Sequence, residues 1–194
     1  MIFPFDIPII GGDDDIVNYN ADSIELVNGV GSVGTSKIRC EIYKKFKAKG
    51  YHFRQVIHQR SILSSKISLG EGVQIMAGAV INVGSHIGDN SVINTRAALD
   101  HDCRIGSHVH IAPGSVISGG VKIGDGTHIG TGSSIIQCIN VGINSVIGAG
   151  SVVVKDIPDN VKAYGVPAHV IDFLVPDGKL KGGVQSQKTP PNFC

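Results

Sequence analysis

From residue 57 to residue 153 an aliphatic side chain stands at every sixth position. The series runs Ile57, Leu63, Leu69, Ile75, Ile81, Ile87, Ile93, Leu99, Ile105, Ile111, Ile117, Ile123, Ile129, Ile135, Val141, Ile147 and Val153, seventeen positions without a slip. An amphipathic helix needs apolar residues near every 3.6 positions, and a half-buried strand needs simple alternation, so a period of six fits neither. A small or apolar residue stands two places before each aliphatic (Ala79, Ser85, Ser91, Ala97, Cys103, Val109, Ser115), and Gly often follows, as at Gly70, Gly88, Gly106, Gly124, Gly130, Gly142 and Gly148. Each unit therefore reads as a short strand plus a turn, and the whole stretch as a hexapeptide β-solenoid. Three units close one triangular coil of 18 residues. The aliphatics stack inside the prism, where burial contributes about 1.5 to 3 kcal/mol each.

Composition agrees with tight, repeated turns: 26 of 194 residues are Gly and Trp is absent. The 17 basic and 16 acidic residues are scattered, for a net charge of +1, so the chain lacks the footprint of a polyanion binder, and nucleic acid is not an expected partner. The opening MIFPFDIPIIGGDDD lacks the charged start, apolar run and small-residue cleavage site of a secretory signal. The expected address is the cytoplasm, with no membrane partner. Cys40, Cys103, Cys138 and Cys194 form no C-x-x-C pair and no ligand spacing with histidine, which predicts free thiols and no metal site.

The period divides the chain into three parts: an N-terminal segment over 1–56, the solenoid over 57–157, and an extension and tail over 158–194. In the first part the pattern predicts a strand over 23–28, a helix over 36–49 and a second strand over 51–57. Between strand and helix, Gly29-Val30-Gly31-Ser32-Val33-Gly34 matches the G-x-G-x-x-G fingerprint literally. The second strand ends in Ile57-His58-Gln59, with no acidic residue for a ribose hydroxyl, so the glycines are read as a turn. The tail, rich in Gly, Lys, Gln and Pro, carries no readable chemistry.

Within the repeat lie Asn94-Thr95, Asp100-His101-Asp102-Cys103-Arg104-Ile105-Gly106, His108-Val109-His110-Ile111-Ala112-Pro113-Gly114 and Gly119-Gly120-Val121. With the hexads, these resemble the hexapeptide acyltransferases, and within them the sialic acid O-acetyltransferase and nucleotide-sugar N-acetyltransferase (NeuD/PglD) family. The resemblance runs from about Pro8, through Pro8-Ile9-Ile10-Gly11-Gly12-Asp13-Asp14-Asp15, to Ala168. It implies that the coils wind left-handed, against the usual crossover preference. It also implies that 1–56 is an incomplete α/β segment, because the family's opening strand and Gly-Gly-His-type turn have no counterpart here.

The implied chemistry is transfer of an acetyl group from acetyl-CoA to an amino or hydroxyl group of a sugar. Such a transfer needs a base near pH 7, and His101 is the candidate. Its 18-residue neighbours are Val83 on one side and Gly119 on the other; Asp102 has Gly84 and Gly120. These glycines are expected to leave open space beside the pair. By resemblance Asp102 is the acidic neighbour that polarises the imidazole; strand alternation would point the two side chains apart, so the contact requires the turn to fold the carboxylate back or a carboxylate from another subunit. His110 matches a donor-contacting position, the alternative being a structural stack with His128 one coil above it, and Gly119, Thr131 and Ala149 match main-chain contacts of the CoA arm. A backbone N–H near Gly119 is the natural oxyanion donor. His58, His86, His108 and His128 are read as surface residues, and Lys122, Lys155 and Lys162 as solvated charge. A homotrimer is expected, since one prism face supplies half a groove. Two other readings stay open: a solenoid scaffold that has lost catalysis, and an enzyme for another reaction or a non-sugar acceptor. A zinc enzyme would need three histidines converging across subunits, and His101, His110 and His128 do not obviously share an edge.

Overall fold

The computed structural model describes residues 7–32, 34 and 36–174, so the tail beyond residue 174, with Cys194, lies outside the described residues. From Val56 to Val153 the chain is a left-handed parallel β-helix of two-residue strands. Each strand pairs in parallel with the one 18 residues on, as in Ala98↔Val116 and Leu99↔Ile117. The strands fall into three sheets, which form the faces of a triangular prism. The first face stacks Val56–Ile57, Gln74–Ile75, Val92–Ile93, His110–Ile111, His128–Ile129 and Val146–Ile147. The second runs from Ile62–Leu63 through Ala98–Leu99 to Val152–Val153, and the third from Ser68–Leu69 through Arg104–Ile105 to Asn140–Val141.

Alternation decides what each hexad buries. The second strand residue points inward, as does the residue before the strand, while the first strand residue points out. Ile75, Ile81, Ile87, Ile93, Leu99, Ile105, Ile111, Ile117, Ile129, Ile135 and Ile147 are thus almost wholly buried. The lower end of the series differs: Ile57 is 43% exposed and Leu63 and Leu69 are half-buried, because no coil lies beneath them. Hydroxyls that enter the prism are satisfied between coils. Ser91 Oγ donates to Gly106 O and accepts from Val109 N–H, and Thr127 Oγ1 donates to Gly142 O.

The turns repeat the period as well. From Gly72 to Gly150 one residue of each tight corner has a positive φ, including Gly84, Asn90, Arg96, Asp102, His108, Gly114, Gly120 and Gly132. A non-glycine residue in this region bears a backbone cost, and Asp102 (φ 59) and His108 (φ 60) are two that do.

The N-terminal segment is a βαβ unit: strand β1 (Glu25–Leu26), helix α1 (Lys37–Lys47) and strand β2 (His52–Phe53), with β1 and β2 parallel. The second expected strand is thus two, since Val56–Ile57 already belongs to the prism. Tyr43, Phe46, Tyr51 and Phe53 form a small core of their own. The unit docks on the edge between the third and first faces. Tyr43 meets His108 edge-on with ring centroids 5.4 Å apart, Lys47 pairs with Glu71 at 2.8 Å, and Arg39 Nε donates to Asn90 O at 3.2 Å. At the other end, Val161–Gly165 and Ala168–Phe173 form an antiparallel hairpin that closes the first face, so the beginning of the extension is ordered structure.

Candidate active site

The corner between the second and third faces carries His101 and Asp102. Asp102 Oδ2 lies 2.9 Å from His101 Nδ1. Of the two routes that would bring the carboxylate to the ring, the turn is the one seen: the strands are two residues long, so both residues sit in the turn, and Asp102, at positive φ, has its carboxylate folded back. A carboxylate only accepts, so Nδ1 holds the proton and Nε2 offers its lone pair. Asp100 completes the corner by accepting from the His101 N–H at 2.8 Å and from Asn82 Nδ2 at 3.0 Å. The hydrogen bond to Asp102, then the charge of Asp100, raise the His101 pKa above the ordinary imidazole value.

The neighbouring glycines act otherwise than as open space. A Cβ on Gly119 would lie 2.6 Å from His101 Nε2, and one on Gly84 would collide with Asp102 Oδ1. The imidazole and the carboxylate themselves fill the room that the glycines leave, and each is braced against the backbone of the adjacent coil. Gly119 is therefore in contact with His101. The corner-to-corner ladder uses the Gly119 carbonyl, which accepts from Cys138 N–H, and leaves the Gly119 N–H out.

His110 lies elsewhere. It projects from the first face, opposite the corner of His101, and is only 9% exposed. Its Nδ1 is 2.5 Å from Ser32 Oγ and its Nε2 is 3.1 Å from Asn94 Nδ2. The ring of His128 stands edge-on to it, with centroids 4.9 Å apart. Burial, then the proximity of His128, lower the His110 pKa to about 4, with Ser32 working the other way. His110 is therefore neutral at pH 7. Burial lowers the pKa of His128 and of His108 too, so neither is the plain surface residue expected from sequence.

Thr131 and Ala149 occupy the third kind of place, the exposed corner between the first and second faces. It is a column of small groups: additions at Gly114, Gly132 and Gly150 would meet nothing within 4 Å. The expected site residues thus split in two. His101, Asp102 and Gly119 share one corner; His110, Thr131 and Ala149 belong to the opposite face and the other corner of the second face. Sequence reasoning missed Ser32, whose only signal is its place in a glycine-rich loop, and the bracing role of Gly84, although the 18-residue offset marks it.

Between the two corners, the second face presents Ile62, Val80, Ala98, Val116, Ser134 and Val152 outward, apolar but for Ser134, with Ile62 66% and Val116 49% exposed. The third face presents Ser68, His86, Arg104, Lys122 and Asn140 instead. Among the described residues, Cys40, Cys103 and Cys138 are free thiols. No group of three potential metal ligands converges, and no helix is long and apolar enough to cross a membrane, again among the described residues.

Residues 84–119 match the family model of the bacterial transferase hexapeptide (six repeats). A mutant perosamine N-acetyltransferase from Caulobacter crescentus, in complex with CoA and GDP-perosamine, is 40% identical with a TM-score of 0.70. The match covers 72% of this chain and 66% of that one, so the chain spans just under two thirds of that enzyme. The acetyltransferase domain of PglB from Neisseria gonorrhoeae FA1090, in complex with acetyl coenzyme A, is 34% identical over 86% of this chain and 80% of that chain, with a TM-score of 0.80. WeeI from Acinetobacter baumannii AYE is 27% identical over 72% of this chain and 68% of its own, with a TM-score of 0.69.

Proposed function

The chain belongs to the family of hexapeptide-repeat sugar N-acetyltransferases, and from this we propose that it moves the acetyl group of acetyl-CoA to an amino group of a nucleotide-linked sugar, with His101 as general base. The observation that carries the reading is the braced pair: Nδ1 held by Asp102 at 2.9 Å, and Nε2 presented over Gly119. The two relatives whose structures hold CoA or acetyl coenzyme A supply the donor class, and GDP-perosamine in one of them supplies the acceptor class.

The neutral amine attacks the thioester carbon while His101 Nε2 takes its proton, and Asp102 and Asp100 favour the imidazolium that forms. Negative charge develops on the thioester oxygen, where the Gly119 N–H, left out of the ladder, is the candidate donor. As the intermediate collapses, the carbon–sulfur bond breaks and the imidazolium returns the proton to the departing thiolate. The products are the N-acetyl sugar and CoA. The mechanism calls for no metal.

The split of the site residues supports a homotrimer. His101 and His110 point away from each other in one chain, so a single acetyl group meets both only when two copies contribute. The exposed apolar column of the second face supplies a self-association surface. With that face turned to a three-fold axis, the His101 corner of one copy lies beside the Thr131 and Ala149 corner of the next. The CoA arm then runs in the groove between them, along main chain left open at Gly114, Gly132 and Gly150. We assign the reaction to the cytoplasm, where acetyl-CoA is supplied, and to surface-glycan synthesis.

The test is release of free CoA from acetyl-CoA with a panel of UDP- and GDP-linked amino sugars, free amino sugars and sialic acids. A nucleotide-linked amino sugar should turn over, and His101→Ala, folded and assembled as wild type, should lose about 10² to 10⁴ in kcat/KM. Turnover that survives His101→Ala within threefold would remove His101 from the mechanism.

A further inference from the structure

The glycine-rich stretch over 28–32 is strapped onto the prism. Arg39 Nη1 donates to Asn28 O at 2.7 Å and to Val30 O at 2.8 Å. Asn28 Nδ2 donates to Arg39 O at 3.0 Å, and Gln74 Nε2 on the first face donates to Asn28 O at 2.7 Å. Gly29 and Gly31 are crowded by nothing within 4 Å. The path of this stretch delivers one polar side chain to the prism: Ser32, 7% exposed, against His110.

The hydrogens around His110 follow from its neighbours. The Thr95 N–H donates to Asn94 Oδ1 at 2.7 Å. This fixes the carboxamide, so the group facing His110 Nε2 at 3.1 Å is the Nδ2 amino group, a donor. Nε2 must then accept, and in a neutral imidazole the hydrogen sits on the other nitrogen. Nδ1–H therefore points at Ser32 Oγ, 2.5 Å away.

We propose that Ser32 is a positioning residue of the transfer site: by accepting from Nδ1–H it holds His110, together with the Asn94 amide on the other nitrogen, as the Nδ1–H tautomer at the edge of the small-residue corner. The inference rests on the reading that His110 serves the acetyl-CoA groove. It has a mechanistic consequence: the Nε2 lone pair takes the Asn94 amide hydrogen, so His110 orders Asn94 at the edge of the groove, offers no hydrogen of its own there, and leaves the oxyanion to a main-chain N–H. It also gives the N-terminal segment a part in the reaction through Ser32.

The experiment has a spectroscopic arm and a kinetic arm. In the full-length protein labelled with 15N-histidine, the His110 ring at pH 7 should show a protonated Nδ1 and an unprotonated Nε2, assigned by loss of the signals in His110→Gln. Ser32→Ala should move both resonances toward the averaged values of a mixed tautomer, while Ser32→Thr, which keeps the hydroxyl, should leave them in place. Steady-state assays should show KM for acetyl-CoA raised about tenfold in Ser32→Ala with kcat within threefold, and wild-type values within twofold for Ser32→Thr. A protonated Nε2 in the wild type, or ring signals unchanged in Ser32→Ala, overturns the inference whatever the activity. A His110→Gln enzyme with unaltered KM for acetyl-CoA instead overturns the reading of His110 as a donor-site residue, and with it the role assigned to Ser32. The ring signals distinguish the two failures.

Discussion

Two regions of this molecule hold histidines, and they treat the same side chain in opposite ways. At the corner of the second and third faces, His101 stands in solvent against Gly119, and an adjacent carboxylate raises its pKa. On the first face, His110 lies beneath the N-terminal segment, and burial lowers its pKa to about 4. One ring is poised to take a proton, and the other is held neutral so that its tautomer carries information. The repeat is identical in both places, so the difference comes from what covers it: water and a carboxylate in one case, a docked loop in the other.

The largest expected effect separates the two regions by subunit. Co-expressed His101→Ala and His110→Ala chains, each nearly inactive alone, should regain roughly a quarter of wild-type activity in mixed assemblies, because random mixing puts both intact residues in that share of shared grooves. Assay of mixed against separately purified variants checks it, and no recovery would place both histidines in one chain's site. Next comes Gly119→Ala. Its methyl would fall 2.6 Å from His101 Nε2, and moving the ring by even a fraction of an ångström from its bracing should reduce kcat by about ten- to a hundredfold. The melting temperature should stay within a few degrees, so calorimetry beside kinetics distinguishes a displaced base from a damaged prism.

A smaller effect tests the electrostatics of the exposed corner. His101 must be deprotonated to act, and its pKa is raised, so kcat/KM should climb with pH through a midpoint above the ordinary histidine value. Asp102→Asn removes the largest cause of the shift and should bring that midpoint down, with a loss of roughly tenfold at the plateau. A midpoint that does not move would assign the shift to Asp100 instead. The smallest effect belongs to the covered region. Because the folded-state pKa values of His110 and His128 lie below those of the unfolded chain, the unfolded state binds more protons as pH falls below about 6.5. Their contribution to stability is complete above that value and is lost toward pH 4. Thermal melts should show a decline of several degrees across this range, shallower in His128→Leu, whose parent leaves Nδ1 buried without a partner.

Much of this contrast was legible before any coordinates. The period of six dictates the prism, and the 18-residue offset brings Gly84 to Asp102 and Gly119 to His101, because parallel strands in register carry sequence distance directly into space. Two things were not legible. Whether the turn or another subunit brings a carboxylate to His101 was left undecided, because alternation applies along a strand, and a two-residue strand ends before reaching Asp102. The fate of His110 was lost because it depends on a segment outside the repeat: nothing in Gly29-Val30-Gly31-Ser32 specifies that the loop lies over the first face, a placement decided by Arg39, Asn28 and Gln74 acting together. Even the repeat misleads at its margin, where Ile57 continues the series yet stays 43% exposed for want of a coil below.

The register of the coils gives the chain something like a reading frame. An insertion or deletion of six residues between His101 and Gly119 would rotate every later residue by one face, sending Gly119 away from the imidazole and turning Thr131 from its corner. A whole coil of 18 residues added above Ala149 would preserve every vertical neighbour below it and merely lengthen the prism by about 4.8 Å, the spacing between paired strands. Length changes in such a protein are therefore not graded by size. Those in step with the coil extend the scaffold and leave the chemistry in place, and those out of step scramble it, even when each displaced hexad still packs its aliphatic residue correctly inside.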